Sequence, residues 1–226
     1  MAERNIVEAV VDVRHVHLGE VIDQTGEAVR YLHFPVDAAL SLMDVKDSTH
    51  TLDVALVGAE GCSGASVAQG NEASPCLNIV EIGGLAVRMP AAALDWPKMP
   101  YLSTALSRYN LLLMRHMVIS VGCSQFHSAD QRIARWLLAH NYRAGLTDFP
   151  FTSDFLAAQV GIDKDEVRKI LEQMQQRGLI AKGPHSISIC DRQALGQQSC
   201  ACLELTQEET NGYVERLARL SRAFAH

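Results

Sequence analysis

No run of apolar residues in this 226-residue chain reaches the roughly 18 needed to cross a bilayer. The opening Met1-Ala-Glu-Arg-Asn-Ile6 has neither the basic start nor the apolar stretch of a secretory signal. Together these absences predict a cytoplasmic protein with no membrane partner. Cys-x-x-Cys is also missing, and six irregularly spaced cysteines with no export signal read as reduced thiols rather than a disulfide framework. No internal repeat or low-complexity tract occurs. What is present, 48% hydrophobic and 20% charged residues, excludes a mainly disordered chain and suits two domains.

Positive charge is scarce as well: the formal net charge is −6. The deficit is regional. Residues 1–127 carry 8 Lys+Arg against 14 Asp+Glu, whereas residues 128–226 carry 12 of each. The second part is therefore neutral, and any hold it has on a polyanion must come from a local basic face.

Up to Leu94, β-branched runs alternate with glycine at Val11–Leu18, Val29–Phe34, Ala39–Val45, Thr49–Val57, Leu77–Ile82 and Leu85–Met89, the pattern of a sandwich or roll. Composition changes at Trp96-Pro97-Lys98-Met99-Pro100. From Tyr101 to Val121 there is no glycine or proline, which predicts one helix of about 20 residues. Leu102, Leu106, Tyr109, Leu113 and Met117 give it an apolar stripe for which a second copy of the chain is the economical cover, and Leu111, Leu112 and Met114 supply a further face. Gly122 is expected to interrupt this helix and Ser128 to cap another running through Ala139. Thr206-Gln-Glu-Glu209 reads as a capping box opening a final helix through Val214, Leu217 and Leu220.

Between Thr152 and Ile189 the pattern is more specific. Apolar residues at helical spacing flank Gly161 in Ser153-Asp-Phe-Leu-Ala157-Ala-Gln-Val-Gly161-Ile-Asp163-Lys-Asp-Glu-Val167-Arg-Lys-Ile170. Ala157 is small where two helices must cross, Gly161 permits the positive φ of a tight turn, Asp163 caps the second helix, and Val167 and Ile170 face back onto the first. Gly178 can end that helix. Leu179–Lys182 and His185–Ile189 then read as two strands joined at Gly183-Pro184. Two short helices and a ribbon make a winged helix-turn-helix, the shape that enters a DNA groove.

This order of elements resembles the Crp/Fnr family of bacterial transcription regulators over nearly the whole chain. The likeness is carried by Tyr31-Leu-His-Phe-Pro35, Val57-Gly-Ala-Glu-Gly61-Cys-Ser-Gly64, Gln131-Arg-Ile-Ala-Arg-Trp-Leu-Leu138 and Phe151 through Ile180; the Cys200-Ala-Cys202 tail resembles a subgroup whose signal is poorly defined. It implies an α+β fold: an N-terminal antiparallel β-roll of the cyclic-nucleotide-binding type (1–95), a long dimerisation helix and hinge (96–126), a C-terminal winged helix-turn-helix (127–202) and a helical tail (203–226). It implies a non-enzymatic homodimer binding double-stranded DNA at an inverted repeat, and adds RNA polymerase as a candidate partner. By the same resemblance Lys164, Asp165 and Lys169 occupy the base-reading positions, where the family has Arg, Glu and Arg, and Arg168 and Lys182 would touch phosphate. Glu166 sits where it would oppose the DNA backbone. The competing reading is a sensory or protein-interaction module that keeps the fold and has lost DNA.

Cyclic-nucleotide-binding members hold the phosphate with arginine and the ribose with glutamate; here Gly61-Cys-Ser-Gly-Ala65 and Ala73-Ser-Pro-Cys76 supply neither. Iron-sulfur members carry cysteines ahead of the roll, whereas the first here is Cys62. His15, His17, His33, His50, His116 and His127 read as surface or core residues, and no His and Glu set suggests a cupin-like enzyme. Cys200-x-Cys202 alone is a weak metal signal, and Cys62, Cys76 and Cys123 sense oxidants only beside a cation. The expectation is no metal, with the ligand and cofactor unassigned.

Overall fold

The structure, a computed structural model, describes residues 2–45 and 51–224. The start of the expected Thr49–Val57 strand, and His50, lie outside them. The described residues form two compact units, one of residues 2–43, 55–117 and 207–224, the other of 44–45, 51–54 and 118–206. No described helix is long and apolar enough to cross a membrane.

The chain opens with α1 (Ala2–Val10), which the sequence pattern does not announce, followed by β1 (Asp12–Val16), β2 (Val21–Asp23), β3 (Tyr31–Pro35), β4 (Ala39–Val45), β5 (Thr51–Val57), β6 (Leu77–Ile82) and β7 (Gly84–Pro90), all in the first unit except the end of β4 and the start of β5. They make two sheets, ordered β1-β7-β3 and β2-β6-β4-β5. Antiparallel register pairs Leu32 with Met89 and Leu40 with Val80, and all four side chains are buried. α+β with an N-terminal antiparallel β domain is the observed class.

The long helix α2 runs from Pro100 to Phe126, five residues beyond the expected end. Gly122 does not break it, because glycine in a helix interior costs only about 1 kcal/mol and no proline or cap follows. Its start is capped from α1: the backbone N–H groups of Tyr101 and Leu102 donate to the Glu3 carboxylate at 3.0 and 2.7 Å. The final helix α7 begins at Cys202, not at Thr206, whose hydroxyl instead donates to the Cys202 carbonyl at 2.7 Å as a residue inside the helix. From Gln207 on, α7 lies antiparallel to α2: Glu209 pairs with Arg115, Thr210 meets His116 at 3.2 Å, and Tyr213 packs on Tyr109 with ring centroids 5.8 Å apart. A long partner for α2 is therefore supplied by the chain itself.

That partner decides which face of α2 turns inward. Leu106, Tyr109 and Leu113 of the expected intermolecular stripe are buried within their own unit, while Leu102 and Met117 are half-buried. A Cβ on Gly61 would stand 1.9 Å from the Tyr109 ring, so this ring is seated where only glycine leaves room. Exposed instead are Leu111 (62%), Met114 (57%), Val118 (56%) and Val121 (58%).

The second unit contains the end of α2, α3 (Ala129–Ala144), β8 (Asp148–Phe149), α4 (Ser153–Val160), α5 (Lys164–Gln176), β9 (Ile180–Lys182), β10 (Ile187–Ile189), α6 (Arg192–Gln198) and the first turn of α7. Ser128 and Gln131 form a capping box at the start of α3, five residues longer than expected. Trp136, His140, Phe149, Phe151 and Phe155 stack into its aromatic core. Cys123, His127, Cys200 and Cys202, scattered in the sequence, come together in this unit with their ligand atoms within 4.8 Å of one another. The end predicted for the helix at Gly122 hides this, since only a continuous helix sets Cys123 and His127 on one face.

Candidate nucleic-acid interface

Local sequence builds the two crossing helices. The Thr152 hydroxyl accepts from Phe155 N–H at 3.1 Å to start α4, and Gly161 ends it at φ +62°, a conformation that side chains resist. Asp163 then caps α5, its carboxylate accepting from the backbone of Asp165 at 2.9 Å and of Glu166 at 3.2 Å. Val167, Ile170, Leu171 and Met174, spaced i, i+3, i+4, i+7, are all buried. Arg132 of α3 donates to the last carbonyl of α4, at Val160, closing the other end of the motif.

With that stripe inward, the opposite face of α5 is open. Lys164, Asp165, Glu166, Arg168 and Lys169 are all exposed on it. They are not equivalent. Arg168 donates to Asp154 of α4 at 2.7 Å and to Asp165 at 3.0 Å, and Lys164 reaches Asp154 at 3.5 Å. The Arg168 guanidinium is the main reason the Asp154 carboxyl lies below its usual range. Lys169 makes no ion pair among the described residues. Lys182 lies half-buried on β9, beside a turn where Gly183 N–H donates to the Ser186 carbonyl at 2.8 Å, and His185 is exposed at its tip. The wing has a third strand, with β8 pairing Phe149 to Ile187. Two residues carry too little pattern for sequence to reveal it.

In the first unit a cavity of about 150 Å³ lies among Cys62, Ser66, Cys76, Asn78, Asn110 and Met114. No residue lining it is charged. Ser66 Oγ and Asn78 Oδ1 are buried without a hydrogen-bond partner among the described residues, while Asn78 Nδ2 donates to Asp23 at 2.8 Å. Burial pushes the Asp23 carboxyl up to about 6, against the lowering effect of the hydrogen bond from Asn78.

Comparison with known proteins agrees with this geometry. Residues 131–198 match the Crp-like helix-turn-helix domain. No curated protein matches the chain significantly. Among solved structures, a CRP/FNR-family transcriptional regulator from Thermus thermophilus superposes with a TM-score of 0.69 at 19% identity, covering 83% of this chain and 98% of that one. FixK2 from Bradyrhizobium japonicum gives 0.67 at 16%, covering 85% and 98%. The c-di-GMP responsive global regulator CLP from Xanthomonas campestris gives 0.68 at 13%, covering 84% and 98%. The chain thus has a Crp-like helix-turn-helix domain within the fold of Crp/Fnr transcription regulators.

Proposed function

We propose that this protein is a dimeric DNA-binding transcription regulator that engages an inverted-repeat operator under control of a small ligand in the first unit. The observation that carries the reading is α5: four buried apolar residues hold it rigidly in a Crp-like domain while its whole polar face is open. Lys164, Asp165 and Lys169 are the proposed base readers; Arg168 and Lys182 are the proposed phosphate contacts. This reading implies a cytoplasmic protein, with RNA polymerase as a further partner if the bound dimer activates.

The dimer seam we favour is the exposed stripe of Leu111, Met114, Val118 and Val121, whose steps of three, four and three residues are those of paired helices. Leu106, Tyr109 and Leu113 support that helix from within. Met114 belongs both to this stripe and to the cavity wall, so a ligand that moves it would alter the seam. The cavity's uncharged lining, and a volume below the roughly 300 Å³ of ordinary ligand sites, disfavour cyclic AMP and cyclic GMP.

Fluorescence anisotropy on genomic fragments and on random DNA, as a function of salt, tests this. Lys169→Ala should cost about 1–3 kcal/mol on the preferred operator and relax choice at one base pair per half-site. Arg168→Ala and Lys182→Ala should weaken all sequences alike and reduce the salt slope. Leu111→Glu with Val118→Glu should sediment as monomer and lose the operator. Indifference of every variant would instead support a protein-interaction module.

A further inference from the structure

The four residues that converge in the second unit have the chemistry of a metal site. Cys123 lies in the last turn of α2 and His127 just past its end, where the His127 backbone N–H still donates to the Cys123 carbonyl at 3.1 Å, so the helical turn carries both side chains to the same side. Cys200 lies in the short link between α6 and α7, and Cys202, one residue beyond Ala201, is the first residue of α7. The three cysteines are buried and His127 is half-buried, which leaves a closed set with one side toward solvent. Cys123 Sγ and Cys200 Sγ are 3.5 Å apart, as are Cys202 Sγ and His127 Nδ1.

These separations select among ligands. A tetrahedral zinc with bonds of about 2.3 Å to sulfur and 2.0–2.1 Å to nitrogen sets two sulfurs ~3.8 Å apart and sulfur and nitrogen ~3.5 Å apart. The observed distances lie within a few tenths of an ångström of both. An iron-sulfur cage interposes several atoms between its ligands and needs them farther apart than a 4.8 Å envelope. Three thiolates, one imidazole and no fifth donor in the group make a soft, closed four-ligand set, the kind that holds zinc structurally. Three thiolates around a dication leave one net negative charge. Arg132 and Arg135 of α3 face this cluster, and Arg135 is steadied by donating to Ser120 Oγ at 3.2 Å.

We propose that Cys123, His127, Cys200 and Cys202 bind one zinc ion, which ties the end of α2 to the α6–α7 link. The bound ion joins segments of this unit that are far apart along the chain, so its binding free energy adds to the folding of the unit. Its loss, by chelation or by thiol oxidation, loosens α6 and α7 from the end of α2.

The test uses the full chain, purified under reducing conditions from zinc-supplemented cells. Elemental analysis should find close to one zinc per chain after dialysis. Cobalt(II) added to chelator-stripped protein should give the intense visible bands of tetrahedral cobalt with thiolate charge transfer, both removed by added zinc. Cys202→Ser and His127→Ala should each weaken zinc at least tenfold in competition with a chromophoric chelator, and exposed Cys190→Ser should not. Should a variant fail to fold, the zinc content and cobalt spectrum of the unaltered chain still decide. Failure of the stripped chain to bind zinc, an octahedral cobalt spectrum, iron with acid-labile sulfide, a Cys123–Cys200 disulfide in freshly reduced protein, or undiminished zinc in both ligand variants would each overturn the site. None of these readouts involves DNA.

Discussion

The two units treat their buried titratable groups differently. The first pairs its surface charges, as Arg88 with Asp12, but keeps its buried groups out of ion pairs: His33 has neither ring nitrogen hydrogen-bonded among the described residues, Asp23 is nearly enclosed, and the Cys62 thiol is pushed far up by burial. The second gathers them. Arg168, Lys164, Asp154 and Asp165 share one surface network, and the Cys200 thiol is lowered by its hydrogen bond with Cys123, with Arg135 adding cationic support. Solitary burial favours the neutral form of a group, whereas clustering offsets charge with neighbouring charge. The first unit thus encloses these groups apart from one another, whereas the second sets them side by side, on its surface at Arg168 and in its interior at Cys200.

Glycine substitutions should show the largest contrast. Gly61→Ala drives a methyl into the Tyr109 ring, which is boxed in by Tyr213, so the side chain cannot simply step aside. It should cost about 3 kcal/mol, the upper end of overpacking. Gly178→Ala, at φ +72° with nothing within 4 Å of its Cβ, meets only backbone strain and should cost about 1 kcal/mol. Thermal melts followed by Trp96 for the first unit and Trp136 for the second would measure both. Equal losses would mean that Tyr109 is not held as described.

Next come the solitary buried groups, whose effects on stability oppose each other. Asp23 has its folded pKa raised to about 6, so the stability it lends is fully present below about pH 4 and is lost as pH rises through 6. His33 is lowered to about 4, chiefly by burial and then by Arg14 and Arg88; its contribution is full above about 6.5 and is lost as pH falls through 4. Between pH 4 and 6 the slopes largely cancel. Asp23→Asn should therefore stabilise the first unit by about 2 kcal/mol at pH 7.5, after allowance for residual solvent, and not at pH 4. That variant should also lose stability on acidification more steeply than the parent, and His33→Gln should do the reverse. Denaturant titrations at pH 4.5 and 7.5, read at Trp96 in a Trp136→Phe background, check both signs.

How much of this is legible in the sequence depends on range. The turn at Gly161, the cap at Asp163 and the buried stripe from Val167 are set by residues within one helical turn of each other, and the local pattern locates them. The phase of α2 is not legible in the same way. That helix is apolar on most sides, so which side turns inward is set by distant residues, Gly61 and Tyr213, which make room for Tyr109 and cover it. The thiol cluster joins residues more than 70 positions apart. Neither Cys123 nor Cys200-x-Cys202 carries a metal pattern alone, and a helix taken to end at Gly122 leaves out the turn that aligns Cys123 with His127.

The smallest effect on stability should come from the surface network, where it also separates folding from binding. Asp154 holds Arg168 and Lys164 in exposed ion pairs, and pairs of this kind contribute less than about 1 kcal/mol. Asp154→Asn should leave the melting of the second unit nearly unchanged. In the proposed complex, however, the Asp154 carboxylate competes with DNA phosphate for Arg168 and adds a negative charge beside the duplex. Removing it should tighten binding to operator and random DNA by a similar factor, several-fold at low salt, and steepen the salt dependence as Arg168 turns to phosphate. Glu166→Gln removes a carboxylate from the same helix-turn-helix without freeing a cation, so it should tighten binding without that change in slope. Anisotropy titrations of the two variants across a salt series distinguish these outcomes. If Asp154→Asn weakens DNA binding, the Asp154 carboxylate orients Arg168 for the duplex instead of withholding it, and the network is part of the reading head.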